Sequence, residues 1–348
     1  MSKSIALKVI AENKEEAERQ KNGPVADFAI GFRKVVINLK LQPVHETLTL
    51  AALRAGGLTD IPPNMTYDAA TPGLWEFFRG VTWNDDPGCA LFTDSREYNN
   101  ELSSGTTWFS QFEAAKHNES LRSKTGYLLG RSHFGDLQFL HSMSSYVGEP
   151  AVETRDKVLL WCELMYRIVT GEFPGHCPIS LVDVSRGGFT LMQFFNWETD
   201  PTPEKNLKFL LTRDTEFQKM EIERRALGSL FHIIQDSYAK GHTKRVEDYS
   251  SGHLTLGAIR TFHCYTGQDE EEHSHHDSFK VENVLISDLD SFNPYHGARS
   301  AIEACIRVME LWRNGVHWYD YDGKPGAVHV LEDIFKLAPD VTSGDNSI

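Results

Sequence analysis

Phe231-His232-Ile233-Ile234-Gln235-Asp236-Ser237-Tyr238-Ala239-Lys240-Gly241-His242 is the stretch on which the reading of this chain turns. His232 and Asp236 are four residues apart, so on a helix they project side by side from one face. The apolar neighbours Phe231, Ile233 and Ile234 mark that helix as half-buried, and a carboxylate between imidazoles at its edge needs compensation. Gly241 offers a helix stop that lets His242 turn toward the same pocket. Imidazole and carboxylate ligands of this kind suit zinc, and a carboxylate between two histidines can bridge two ions.

Working outward, a second pair follows in Gln268-Asp269-Glu270-Glu271-Glu272-His273-Ser274-His275-His276-Asp277, where His273 and Asp277 repeat the spacing of His232 and Asp236. By itself this acidic run reads as a solvated loop. Beside the first motif it reads as a second set of ligands. Two H-x3-D pairs and His242 supply five ligands, enough for more than one zinc.

The helical spacing that carries the first motif runs through Phe217, Met220, Leu227, Leu230, Phe231 and Ile234. Similar spacing predicts a long buried helix over 153–169 and another over 298–313, where Ile302, Cys305, Ile306, Met309 and Trp312 recur. Val44 to Leu53 reads as a helix ended by Gly56-Gly57, and 137–146 as a further helical segment. Residues 10–22 are charged and read as an exposed segment or short helix. Residues 60–125 are rich in Pro, Gly, Asn and Asp and are expected to form a loop-rich insertion. Ile179-Ser180-Leu181-Val182 is the best strand candidate, and the tail after Pro339 is expected to fray. The expectation is a single, mainly α domain over residues 1–348, a multi-helix bundle with long irregular loops.

The formal charge of −14 argues against a basic surface that grips nucleic acid. It leaves room for a metalloenzyme, because clustered zinc makes one pocket locally positive. The five cysteines lack a C-x-x-C pair, so neither a disulfide framework nor a thiolate zinc site is indicated. No run of about 18 apolar residues and no apolar leader occurs, so no transmembrane segment is expected. The chain is placed in the cytoplasm unless a specialised or non-classical route exports it. P-loop, G-x-S-x-G and H-E-x-x-H patterns are absent.

An H-x3-D pair, a following His and a second H-x3-E/D pair, all on helices, resemble the zinc-dependent phospholipases C, whose fold is shared by the single-strand-specific zinc nucleases. The wording of 230–243 is most similar to the bacterial phosphatidylcholine-hydrolysing branch found in pseudomonads and legionellae. The resemblance spans roughly 40–280 and is strong at 230–277. It implies upstream ligands: His45 in Val44-His45-Glu46-Thr47-Leu48, Asp85 or its rival Asp86 in Trp83-Asn84-Asp85-Asp86-Pro87, and His141 in Phe139-Leu140-His141. Each also has a plainer reading, His45 as a helix-surface histidine, Asp85 and Asp86 as turn formers, and His141 as a core histidine.

Carried over residue by residue, the resemblance implies one zinc held by Asp85, His141, His232 and Asp236. It implies a second held by His242, His273 and Asp277, and a third reached by His45 through a bridging Asp236. The family completes its third site with an N-terminal Trp, whereas this sequence begins Met1-Ser2, so a substitute is needed, with Asp136 and His133 as candidates.

The implied activity is hydrolysis of phosphatidylcholine at a membrane or micelle surface, giving diacylglycerol and phosphocholine by attack of a metal-bound hydroxide. Two or three zinc ions serve it, with Asp236 as the shared carboxylate and Asp136 as candidate general base. Trp75, Trp83, Trp108, Tyr238 and Tyr265 could supply a cage around the quaternary ammonium group, although at 11% aromatic each taken singly reads better as a core residue. The alternatives are a single-strand-specific zinc nuclease on the same fold, or a non-catalytic helical protein stabilised by metal.

Overall fold

A helix surrounded on every side organises the molecule. The computed structural model describes residues 43–58, 60–89, 102–196, 205–213 and 221–347, and the molecule is mainly helical. The charged segment at 10–22 and the positions Phe217 and Met220 lie outside the described residues. In chain order the principal helices are α1 (Val44–Ala55), α2 (Trp75–Trp83), α3 (Leu102–His117), α4 (Leu128–Phe134), α5 (Ala151–Val169), α6 (Ile222–Asp236), α7 (Glu270–Asp277), α8 (Ala298–Arg313) and α9 (Ala327–Ile334). Two antiparallel hairpins accompany them, β1 (Ser185–Arg186) with β2 (Phe189–Thr190), and β3 (Thr243–Asp248) with β4 (Thr255–Phe262).

The surrounded helix is α6, in which every residue from Arg225 to Asp236 is buried. Such all-round burial demands partners on each face. α2 covers one, α5 and α8 cover others, and α1 packs on α8 and α6. The contact with α2 is backbone to backbone. A Cβ at Gly228 would sit 2.1 Å from the Phe77 carbonyl oxygen, and one at Gly80 would sit 2.0 Å from that of Arg225. Only hydrogen at both positions allows this approach, which carries the end of α2, and with it Asp85, up to the His232 turn. Gly228→Ala should therefore destabilise the protein by roughly 2–4 kcal/mol in urea unfolding, through overpacking that no rotamer change relieves. A variant within 0.5 kcal/mol of wild type would refute the contact.

Polar groups lock the same neighbourhood. Trp161 of α5 donates to Ser229 Oγ at 3.0 Å, Ser229 donates to Asn84 Oδ1 at 2.6 Å, and Asn84 donates to the Leu140 carbonyl at 2.6 Å. The Trp83 and Trp161 rings stack at 5.0 Å beside this chain.

Several expectations are corrected. Ile179–Leu181 is a turn of 3-10 helix, ended by extended Val182, and the longest strands are instead β3 and β4. The segment 137–146 holds only the 3-10 turn Gln138–His141, because Ser142 adopts a left-handed conformation (φ 52°) that ends it. The stretch 60–125 contains α2 and α3, where apolar Phe77, Phe78, Trp108 and Phe112 are buried. The helix of the first motif stops at Asp236, five residues before Gly241. Far from fraying, the tail docks along β4: Thr342 N–H donates to the Arg260 carbonyl at 2.8 Å and His263 meets Asp345 at 2.6 Å.

Candidate metal centre

Seven separate parts of the chain converge on one pocket. His45 comes from α1, Asp85 from the turn after α2, His133 from α4, and His141 from the 3-10 turn that follows it. His232 and Asp236 come from the last turn of α6, His242 from the turn into β3, and His273 and Asp277 from α7. Asp85 lines the pocket and Asp86 does not.

Asp236 lies at the centre. Its Oδ2 is 2.9 Å from His232 Nε2 and 3.0 Å from His141 Nδ1, and those two nitrogens are themselves 3.0 Å apart. Its other oxygen, Oδ1, is 3.3 Å from His45 Nε2. Asp85 approaches the same imidazoles at 3.8 Å from His141 and 3.9 Å from His232. In a second triangle Asp277 Oδ2 is 2.9 Å from His242 Nε2 and 2.8 Å from His273 Nε2. The edge of a tetrahedron around zinc at ordinary Zn–N and Zn–O distances is about 3.3 Å. Triangles of this size are therefore close to what an ion needs, and the residues fit zinc.

A second layer of hydrogen bonds sets which nitrogen each ring presents. His232 Nδ1 is held by the Val81 carbonyl at 2.6 Å, His242 Nδ1 by the His141 carbonyl at 2.7 Å, and His273 Nδ1 by Gln268 Oε1 at 2.6 Å. His45 Nδ1 bonds Gln235 Oε1 at 2.8 Å, and His133 Nδ1 bonds the Leu129 carbonyl at 3.0 Å. In each case the oxygen accepts the Nδ1 proton, which leaves Nε2 as the nitrogen that faces a cation, as metal-binding histidines generally require. The glutamines are themselves anchored. Gln235 donates to Thr49 at 3.0 Å and Gln268 to the Gly241 carbonyl at 2.8 Å.

The site is buried, and its charges show it. Burial pushes His141 down to about 4 against the pull of Asp236, and pushes His45 to about 4 with the help of neighbouring His232. Burial also works against a charged His242, but the Asp236 and Asp277 carboxylates outweigh it and raise that imidazole to about 9. Asp236 and Asp277 are depressed, since the surrounding imidazoles overcome their burial. Two buried atoms, His141 Nε2 and Asp277 Oδ1, make no hydrogen bond. Such atoms are costly in a protein interior without a compensating partner. Among the described residues, atoms that could hold an ion fall into three groups, each within 4.8 Å: His45 with His232 and Asp236, Asp85 with His133 and His141, and His242 with His273 and Asp277.

Gly241 belongs to this geometry rather than to a helix end. A Cβ there would lie 2.7 Å from His273 Nδ1 and 2.8 Å from Asp277 Oδ1. Gly241→Ala should weaken zinc at the His242 group by about 10–100-fold, the usual cost of disturbing an outer layer. Competition with a zinc-binding dye checks this, and an unchanged affinity would contradict the close approach.

Other candidates are not brought to the pocket. Asp136 is almost half exposed, and Arg131 holds its carboxylate with two hydrogen bonds of 2.8 and 2.7 Å. The general-base role expected of it is therefore corrected: its oxygens are spent on a guanidinium away from the cluster. The candidate aromatic cage does not assemble, in keeping with the core role that each of these residues singly suggested. Trp83 stacks on Trp161, Trp108 on Phe112, Tyr238 lies under Arg245, and only Tyr265 lines the pocket, edge-on to His273. Sequence reasoning missed Gln235 and Gln268 altogether and saw His133 only as a substitute ligand. A glutamine next to Asp236, and one five residues before His273, were the available signals.

Among the described residues no helix is long and apolar enough to cross a membrane. Comparison with protein-family models, with curated proteins and with solved structures gives no match for this chain, so its function is argued from the site itself.

Proposed function

We propose that this protein is a zinc-dependent phosphodiester hydrolase of the phospholipase C type, acting on phosphatidylcholine and releasing diacylglycerol and phosphocholine. One observation carries the reading: a buried carboxylate, Asp236, offers one oxygen to His45 and the other to His141 and His232, next to a separate His242–His273–Asp277 group. Nine ligands rich in carboxylate and imidazole, arranged around one pocket, suit an open catalytic cluster better than a closed structural site. Zinc bound there supplies Lewis acidity toward phosphate oxygens and lowers the pKa of a water.

The chain's own residues account for the rest. The buried Asp85, Asp236 and Asp277 carboxylates balance the cations, so that an anionic phosphodiester can enter a protein whose formal charge is −14. The Nδ1 hydrogen bonds of five histidines fix the ligand positions before substrate arrives, which lowers the cost of reorganisation. Met143 and Tyr265 give the pocket an apolar wall on which the non-phosphate part of the substrate rests.

The acidic surface disfavours a long polyanion, and the 230–243 motif is worded like the phospholipase branch. The test is a paired assay at physiological salt, with phosphatidylcholine vesicles in one reaction and single-stranded DNA or RNA in the other. Phosphocholine release well above nucleotide release supports the reading. Efficient release of 5′-nucleotides without phosphocholine moves the protein to the nuclease class.

A further inference from the structure

We propose that Asp85, His133 and His141 form a metal position of their own, so that His133 is a ligand of the centre and the third ion is held by side chains alone. The inference rests on the reading of the cluster as a metal centre, but not on the identity of the substrate. The three residues are buried and each offers a ligand atom within 4.8 Å of the others.

The position is built, not incidental. His133 is on the last turn of α4, and its Nδ1 is committed to the Leu129 carbonyl and to Ser132 Oγ, both at 3.0 Å. That leaves Nε2 as the coordinating nitrogen. Trp108 and Phe112 set their rings edge-on to the imidazole, with centroids at 5.9 and 5.1 Å, and so exclude water from its flank. The same Trp108 donates its indole N–H to the Asp85 carbonyl at 3.1 Å, tying the carboxylate-bearing turn to the His133 side. The His133 and His141 rings lie 4.9 Å apart.

His141 supplies the independent sign of a ligand. Its Nδ1 lies 3.0 Å from Asp236 Oδ2, while its Nε2 is buried and makes no hydrogen bond. With the Nδ1 proton donated to that carboxylate, the Nε2 lone pair is the one the neutral ring offers to a cation. His133 is therefore not a stand-in at the His45 group, from which the His232 and His141 rings separate it in a row. Consecutive ring centroids in that row are 4.3 Å (His45–His232), 5.0 Å (His232–His141) and 4.9 Å (His141–His133) apart. His133 stands at the other end of that row, beyond His141.

The experiment is metal counting on the full chain loaded with zinc, joined to anomalous diffraction at the zinc edge. Wild type should hold about three zinc ions per chain and His133→Asn about two, with circular dichroism unchanged. The wild-type map should show a zinc peak within about 2.3 Å of the His133 ring. If His133→Asn does not fold, the wild-type map alone decides. Zinc elsewhere in the cluster with none beside His133, or a variant holding as much zinc as wild type, overturns this inference while leaving the metal centre standing. No zinc in wild type at all removes both.

Discussion

Asp236→Asn should be the most damaging single substitution in this protein, lowering phosphodiester hydrolysis by about 10³-fold or more while the fold persists. The size follows from position. One oxygen of Asp236 faces His45 and the other faces His141 and His232, so removing the charge disturbs three imidazoles of the proposed centre at once. An amide also turns one oxygen into a donor that opposes both the cation and the ring nitrogens. His275→Ala is the matched control, because His275 is exposed on the same α7 that carries His273, and its loss should leave activity within about twofold. Steady-state rates on phosphatidylcholine vesicles, together with zinc content, make the comparison. Equal inactivation of the two variants, both folded, would overturn the assignment of Asp236 as the shared ligand.

Chelation should abolish activity and lower the melting temperature by at least about 10 °C. An ion present at a thousand times its Kd adds about 4 kcal/mol, and this core has three groups of residues that could each take one. Zinc re-addition should restore both, with a pH dependence set by His242. Without metal that imidazole titrates at about 9, because Asp236 and Asp277 hold its proton against the effect of burial. Zinc requires the neutral ring, so binding at neutral pH must expel one proton. Affinity at the His242 position should rise about tenfold per pH unit between pH 7 and 9 and flatten above that. His45 and His141, lowered to about 4, contribute no such slope in this window. Calorimetry in buffers of different ionisation enthalpy counts the proton. A pH-independent affinity, or full activity after exhaustive chelation, would count decisively against the centre.

Local spacing alone was enough to pair the side chains that the two motifs bring together. His232 with Asp236 and His273 with Asp277 are helical pairs, and a four-residue interval places two side chains on one face whatever surrounds the helix. The same periodicity located the helices around 153–169 and 298–313, since a buried stripe is written directly into the order of residues. Tertiary packing decided the rest. Nothing near Asp85 in sequence distinguishes it from Asp86; the backbone contact of Gly80 and Gly228 delivers the turn after α2, and in that turn Asp85 is the residue that lines the pocket. Asp136, a candidate general base from its place about one turn before His141, is instead held by Arg131, which the chain folds back onto it. The hairpin of β3 and β4 and the docked tail depend on pairings between residues far apart, such as His263 with Asp345, which no local pattern specifies. Which nitrogen each histidine presents is likewise a tertiary property, because Val81, Gln235, Gln268 and the His141 carbonyl hold the rings from elements that meet only in the folded chain.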